Sequence, residues 1–276
     1  MERRAFATLV TTDVYAVGAR VLRASLLSSG STYPLVIMYT PAVSSTTVAA
    51  LGTIPHAILR LVSPIAPRPT QIVRYAFDRF QDAWSKLRVF ELEDFDTVVF
   101  LDADMLCVGG MNDLFDQISP DPRSLVASLA CTCNPAQLPH YPKTWTPATC
   151  AYSGGEQRYF NSGMMVVHPN KTTLAWLVDR LQAEDDLSRF FFSDQCFLNE
   201  AFPNFTIASY CFNALKTLRT AHPALWRPQE IKCIHFILEK PWAVDMAGNL
   251  AMRDPYYDLY MLWWAQAGEV SLPAAA

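Results

Sequence analysis

The sequence predicts an α/β fold, a mostly parallel central sheet with flanking helices, carried by a single domain over residues 1–276. Three observations predict it. Short β-rich apolar runs alternate with helix-period stretches through the first half, the signature of stacked β-α units. The composition is 51% hydrophobic and 17% charged, with 10 Gly and 19 Pro, which excludes disorder, collagen-like repeats and coiled coil. No internal repeat and no linker divides the 276 residues, a length that fits one large core.

Residues 5–10 open the chain as a strand buried on both faces. Val14, Val17, Val21 and Leu22, with the small Gly18 and Ala19 between them, give a helical stripe that ends near Ser28-Ser29-Gly30. Residues 34–39 form the second strand, 44–51 a capped helix and 57–62 the third strand. Pro64, Pro67 and Pro69 mark a loop, after which residues 80–90 resume a helix. Residues 97–101 carry the strongest strand signal and run directly into Asp102-Ala103-Asp104.

The second half is less regular. Residues 131–155, rich in Pro and Cys, have no period and read as loop. Residues 162–167 are a buried strand closed by His168-Pro169, and residues 172–182 an amphipathic helix. Ser193-Asp194 caps a helix through Ala201. Residues 231–236 give a further strand carrying His235, and aromatics at helical spacing place a final helix at about 255–266.

Charge and cysteine usage narrow the function. Lys and Arg total 22 against 26 Asp and Glu, a net charge of −4 with no basic excess for a phosphate backbone, so no nucleic-acid partner is expected. The longest apolar run, residues 259–265, falls far short of the roughly 20 needed to span a bilayer. The apolar stretch behind Met1-Glu2-Arg3-Arg4 reaches Thr11, Thr12 and Asp13 too soon for a signal-peptide core, so the expected compartment is cytoplasmic. The residues are compatible with a homodimer without specifying one.

The seven cysteines, Cys107, Cys131, Cys133, Cys150, Cys196, Cys211 and Cys233, are dispersed and do not form a disulfide framework. Cys131-Thr132-Cys133, with Cys150 and His140 nearby, has zinc-binding residue types but lacks paired CxxC spacing, so buried or loop thiols are the expectation. Asn170-Lys171-Thr172 and Asn204-Phe205-Thr206 match the N-glycosylation pattern, which recurs by chance and carries no weight here.

No GxGxxG turn and no GxxxxGK[ST] loop is present, so neither a dinucleotide fingerprint nor a P-loop supplies the ligand site. In open α/β sheets ligands bind beyond the carboxyl ends of the strands, where Asp102-Ala103-Asp104 falls. Two carboxylates at i and i+2 leaving a strand can converge on one divalent cation, a hard ion that prefers oxygen. Taken alone, the triplet reads equally as a solvated turn leading to Asn112-Asp113-Leu114-Phe115.

Six blocks in order add context. They are residues 5–18 (AFATLVTTDVYAVG), Ser85-Lys86-Leu87-Arg88, Phe100-Leu101-Asp102-Ala103-Asp104, residues 160–167 (FNSGMMVV), residues 193–199 (SDQCFLN) and residues 235–242 (HFILEKPW). Together, over about residues 5–242, they resemble glycosyltransferase family eight, within it the glycogenin and galactinol synthase group and its fungal-type branch. The resemblance implies a nucleotide-sugar transferase fold of the A type, Rossmann-like, with a divalent metal, usually Mn2+, and a UDP-sugar donor whose hexose is transferred with retention.

Carried over by position, Asp102 and Asp104 resemble the metal ligands of the DxD motif, with Ala103 between them on the donor side, and His235 resembles the third protein ligand. Leu9, Thr11, Thr12 and Tyr15 match the turn that holds uracil and ribose. Lys86 matches the basic residue facing the donor and Lys240 the one holding the diphosphate, while Asn161, Asp194 and Gln195 match the sugar-facing positions. The chemistry agrees, since a departing sugar diphosphate concentrates negative charge that a divalent cation and a lysine stabilise. Asp194 can serve as oxocarbenium stabiliser, hydroxyl orienter or nucleophile.

Some residues depart from glycogenin. The stretch matching its self-modified segment, residues 214–222, has no tyrosine, so no self-glucosylation is expected. Phe212-Asn213-Ala214-Leu215 with residues 222–226 (HPALW) looks more like the galactinol synthase side, and Phe191-Phe192-Ser193 replaces an extra aspartate near the sugar pocket. The expected function is a metal-dependent retaining transfer of a hexose from a UDP-sugar to a hydroxyl of a small-molecule or protein acceptor. The alternatives are inositol galactosyl transfer, as in galactinol synthase, and a degenerate nucleotide-sugar binding module. The presence of Asp102, Asp104, His235 and Lys240 argues against the last.

Overall fold

The computed structural model describes residues 2–135, 137–139, 141–246, 248 and 251–268. In chain order the strands and α-helices are β1 (Arg4–Val10), α1 (Ala16–Ser28), β2 (Leu35–Tyr39), α2 (Ser45–Leu51), β3 (Ala57–Leu61), β4 (Thr97–Leu101), β5 (Met105–Cys107), β6 (Leu125–Leu129) and β7 (Phe160–Val167). They continue with α3 (Lys171–Ala183), α4 (Asp194–Ala201), β8 (Thr206–Ala208), β9 (Ala214–Leu215), α5 (Leu218–Ala221), β10 (Cys233–His235) and α6 (Tyr257–Gly268). Seven strands form one sheet in the order β3-β2-β1-β4-β7-β6-β8. The β3, β2, β1 and β4 neighbours pair parallel, as do β6 and β8, while β7 runs antiparallel to both β4 and β6.

The apolar runs sit in the sheet because alternate side chains enter two different cores. Ala5, Ala7, Val36, Met38, Val98, Phe100, Met165 and Val167 pack on one face. Phe6, Val10, Leu35, Ile37, Val99, Leu101, Met164 and Val166 pack on the other. Burial on both faces accounts for the absence of polar alternation in β1, β2 and β4.

A smaller sheet, ordered β5-β10-β9, carries the chain away from the acidic turn. His235 on β10 registers opposite Met105 on β5, so the histidine arrives beside the residue that follows Asp104. Helix α1 closes on the same turn through Gly18, where a Cβ would overlap the Ala103 carbonyl and come within 2.9 Å of the Trp242 ring. Val21 of α1 then packs with Leu106, Ile234, Phe236, Leu259, Tyr260 and Trp263, which fastens α6 and the smaller sheet to the main body.

Two expectations need correction. Residues 80–90 do not form an α-helix but two 3-10 stretches, Asp78–Gln81 and Ala83–Glu91. Trp84, Ser85, Lys86, Leu87, Val89 and Phe90 are all buried there, so the segment lacks the polar face an amphipathic helix would turn to solvent. Ser193 stands at the cap position of α4 without a side-chain cap bond, its backbone held at φ 41 and ψ −112. By contrast Ser44 caps α2 as expected, accepting from the Thr47 amide. Among the described residues no helix is long and apolar enough to cross a membrane.

Candidate active site

All thirteen residues singled out from the sequence line one cavity of about 770 Å³ at the carboxyl ends of β1 and β4. Leu9, Thr11, Thr12 and Tyr15 form one wall, and Lys86, Asp102, Ala103, Asp104, Asn161, Asp194, Gln195, His235 and Lys240 form the floor and far side.

The acidic turn follows β4 because the Asp102 amide donates to the Gly163 carbonyl at 2.8 Å, extending the β4-β7 pairing by one rung before the chain turns. His235 Nε2 lies 3.2 Å from Asp104 Oδ1 and 3.8 Å from Asp102 Oδ2. One ligand atom from each of the three residues falls within 4.8 Å of the others. Gly163 makes room for the imidazole, since a Cβ there would overlap Cε1 and sit 2.7 Å from Nδ1.

A chain of amides fixes the histidine. His235 Nδ1 is 2.9 Å from Asn213 Oδ1, the Asn213 amide donates to Asn161 Oδ1 at 2.9 Å, and the Asn161 amide donates to Gln195 Oε1 at 2.8 Å. With the Asn213 oxygen as acceptor, Nδ1 carries the proton and Nε2 presents its lone pair to the carboxylates.

Two lysines balance the three buried or half-buried carboxylates. Lys86 Nζ lies 3.1 Å from Asp102 Oδ1 and 3.1 Å from Asp194 Oδ2, and it also donates to the Ser162 carbonyl at 3.2 Å. Burial works against its charge, but the Asp102 and Asp194 carboxylates outweigh it and hold the ammonium above the ordinary lysine range. Burial pushes the Asp194 carboxyl up, against the pull of Lys86. At Asp104 the opposite balance holds, because Lys240, paired to it directly, and His235 overcome burial and keep the carboxylate well below the usual range. Burial, with Asp104 adding to it, raises the Tyr15 phenol to about 12.

The cavity also contains residues that sequence reasoning missed. Ser162 Oγ donates to Asp194 Oδ2 at 2.8 Å, and Asn213 links His235 to Asn161. Both stood within quoted blocks, but neither has a chemical signature that marks it before folding. Phe77, Phe80, Tyr141, Trp145 and Phe192 build an aromatic wall, with Trp145 and Phe192 stacked at 5.0 Å and 14°. Tyr256, Thr217 and Thr220 also line the cavity, and the Thr220 hydroxyl lies 2.7 Å from the Tyr256 phenol.

The thiols of residues 131–155 do not lie scattered. Cys131, Cys133 and Cys150 gather around His222, while His140 lies outside the described residues.

Comparison with known proteins agrees with this geometry. The profile described as glycosyl transferase family 8 matches residues 7–245. The chain is 28% identical to galactinol synthase 7 of Arabidopsis thaliana, over 98% of this chain and 83% of that protein. It is also 28% identical to galactinol synthase 1 of Solanum lycopersicum, over 91% and 77% respectively. The crystal structure of the galactosyltransferase LgtC with donor and acceptor sugar analogues superposes with a TM-score of 0.67 at 17% identity, covering 98% of both chains. That superposition shows the A-type transferase fold. The chain is a glycosyltransferase and belongs to glycosyl transferase family 8.

Proposed function

We propose that this chain transfers a hexose from a UDP-sugar to a hydroxyl acceptor with retention at the anomeric carbon, using a divalent cation, Mn2+ foremost. Members of the family work with a nucleotide sugar and a divalent cation. The observation that carries the reading here is the convergence of Asp102, Asp104 and His235 at the strand ends, in the same cavity as Lys86 and Asp194.

These residues fit a cation. Two carboxylate oxygens and one neutral imidazole nitrogen are a donor set suited to manganese or magnesium. The buried Asp104 carboxylate already pairs with the Lys240 ammonium, so the site is built to hold positive charge. Asp102, Asp104 and His235 would hold the ion, which when bound supplies electrostatic stabilisation of the departing diphosphate.

The chain's own residues do the rest. Lys240 is positioned to release Asp104 and pair with a donor phosphate, adding preorganised positive charge where negative charge grows. Thr11, Thr12 and Tyr15 line the end of the cavity beyond β1, a place for the base and ribose. Asp194 has both oxygens engaged, Oδ2 by Lys86 and Ser162 and Oδ1 by the Ser193 hydroxyl at 3.3 Å. That engagement supports a role in orienting sugar hydroxyls and stabilising cationic character over a role as attacking nucleophile. The strained backbone at Ser193 fits a residue whose neighbour must point into the site.

The aromatic wall of Tyr141, Trp145 and Phe192 suits the apolar face of a pyranose or cyclitol ring and favours a small ring-shaped acceptor. The likeness to plant galactinol synthases supports inositol galactosyl transfer as the specific form of this reading. A donor screen tests it: UDP-glucose, UDP-galactose and other UDP-hexoses with manganese, each with and without myo-inositol, scored by UDP release and product identity. One UDP-hexose whose turnover rises with an added ring polyol is the expected result, and no release from any donor would overturn the reading.

A further inference from the structure

We propose that Cys131, Cys133, Cys150 and His222 form a structural zinc site that pins the acceptor-side loop to the segment behind α5. The three thiols come from the loop after β6, and His222 is the residue that directly follows α5. His222 Nε2 lies 3.3 Å from Cys131 Sγ, 3.3 Å from Cys133 Sγ and 3.8 Å from Cys150 Sγ. All four ligand atoms fall within 4.8 Å of one another.

The three sulfur-to-nitrogen separations are close to the edges of a tetrahedron around zinc, and the sulfurs lie within 4.8 Å of one another. With Zn–S near 2.3 Å and Zn–N near 2.0 Å, sulfur-to-nitrogen edges are about 3.5 Å and sulfur-to-sulfur edges about 3.8 Å. Three soft sulfurs and an imidazole select zinc over the hard cations expected at the carboxylate triad. Four protein ligands leave no open position, which marks a structural rather than a catalytic centre. Zinc binding would release the thiol protons to solvent. Cys133, Cys150 and His222 are buried, and no cysteine is in a disulfide.

The place in the fold gives the site a task. Among the described residues between Cys133 and Cys150 there is no strand or α-helix, yet Leu138, Tyr141 and Trp145 line the cavity. A loop of this length without secondary structure needs an anchor to hold a wall in place. His222 directly follows α5, whose flanking Thr217 and own Thr220 also line the cavity, so one ion would tie that segment to the loop.

The test is elemental analysis of the full chain, purified without chelator, alongside Asp102→Asn/Asp104→Asn and Cys131→Ser/Cys133→Ser double variants. We expect about one zinc per chain in the unmodified protein and in the aspartate variant, and none in the cysteine variant. If the cysteine variant fails to fold, cobalt exchange into the unmodified chain decides. Tetrahedral cobalt with thiolate charge-transfer absorption supports the site, and His222→Cys should retain the metal with a stronger charge-transfer band. Absence of both zinc and the cobalt band, loss of zinc in the aspartate variant, or a disulfide among Cys131, Cys133 and Cys150 by mass spectrometry would overturn the proposal. Donor turnover is not used as a readout, so the outcome is separate from that of the donor screen.

Discussion

Asp104 is the residue on which the charges of the site turn. Its oxygens face His235 and Lys240, and it lies almost fully buried, so removing the carboxylate leaves two positive or polar groups without their partner. Asp104→Ala is expected to lower donor turnover by about 10²–10³-fold, the scale of losing a preorganised electrostatic contact. Steady-state UDP release with saturating manganese checks it. Lys86 carries a different burden, since it is buried between Asp102 and Asp194. Lys86→Met leaves Asp194 charged in the interior and should cost about 3–5 kcal/mol of stability in denaturant titrations. Adding Asp194→Asn to that variant should recover stability without recovering activity.

Lys216 shows the same physics with a measurable pH signature. It is buried, donates to the Glu239 carbonyl at 2.7 Å and the Tyr260 phenol at 2.6 Å, and burial lowers its pKa to about 8. The unfolded chain keeps the ordinary lysine value near 10.5, so between the two values it binds more protons than the folded chain. Stability contributed by this group therefore rises as pH increases from about 8 towards 10.5. Melting curves of the unmodified chain should show that rise, and Lys216→Met should flatten it.

Among the elements, β7 and β10 set the geometry of the site through one missing side chain. Gly163 gives up its Cβ to the His235 ring, so Gly163→Ala must push the imidazole or bend β7. A displacement near 1 Å at a reacting centre costs about 100-fold, which is the loss in turnover expected for this variant. Long apolar strands were legible in the sequence, because β1, β2, β4 and β7 each exceed the length at which burial on two faces leaves a pattern. The three-residue strands β5 and β8 and the two-residue β9 were not, since so few residues define no period, whereas β10 lies inside the apolar run 231–236. The 3-10 stretch carrying Lys86 reads as a helix in the sequence, and only packing reveals how fully its residues are buried.

Over the whole molecule, the ligand types were readable because their chemistry is distinctive: an acidic pair at a strand end, a histidine and a lysine five residues apart, a Ser-Asp-Gln helix start. Their supporting network was not, because Asn161, Asn213 and His235 meet across 52 and 22 residues of sequence. The cysteine cluster escaped for the same reason, with His222 lying 72 positions beyond Cys150.

The rim of the cavity bears on self-modification. Thr217, Thr220 and Tyr256 all line it, and the phenol of Tyr256 lies outside the tyrosine-free segment 214–222. Thr220 Oγ1 sits against both the Thr217 carbonyl and the Tyr256 phenol, which engages the Thr220 and Tyr256 hydroxyls with each other. Intact-mass analysis after incubation with UDP-glucose and manganese should show no added hexose. A hexose mapped to Tyr256, Thr217 or Thr220 would contradict that expectation.

The central claim is cation-dependent hexose transfer with retention by the Asp102, Asp104 and His235 site. Its most direct measurement is product analysis by proton NMR after incubating the chain with its preferred UDP-hexose, an acceptor polyol and manganese, beside a chelated control and the Asp104→Ala variant. The account predicts a glycoside with the anomeric configuration of the donor in the first tube, and in the other two a yield at least about 100-fold lower at equal time. A product of inverted configuration, or full yield after exhaustive chelation or in the Asp104→Ala protein, would contradict it.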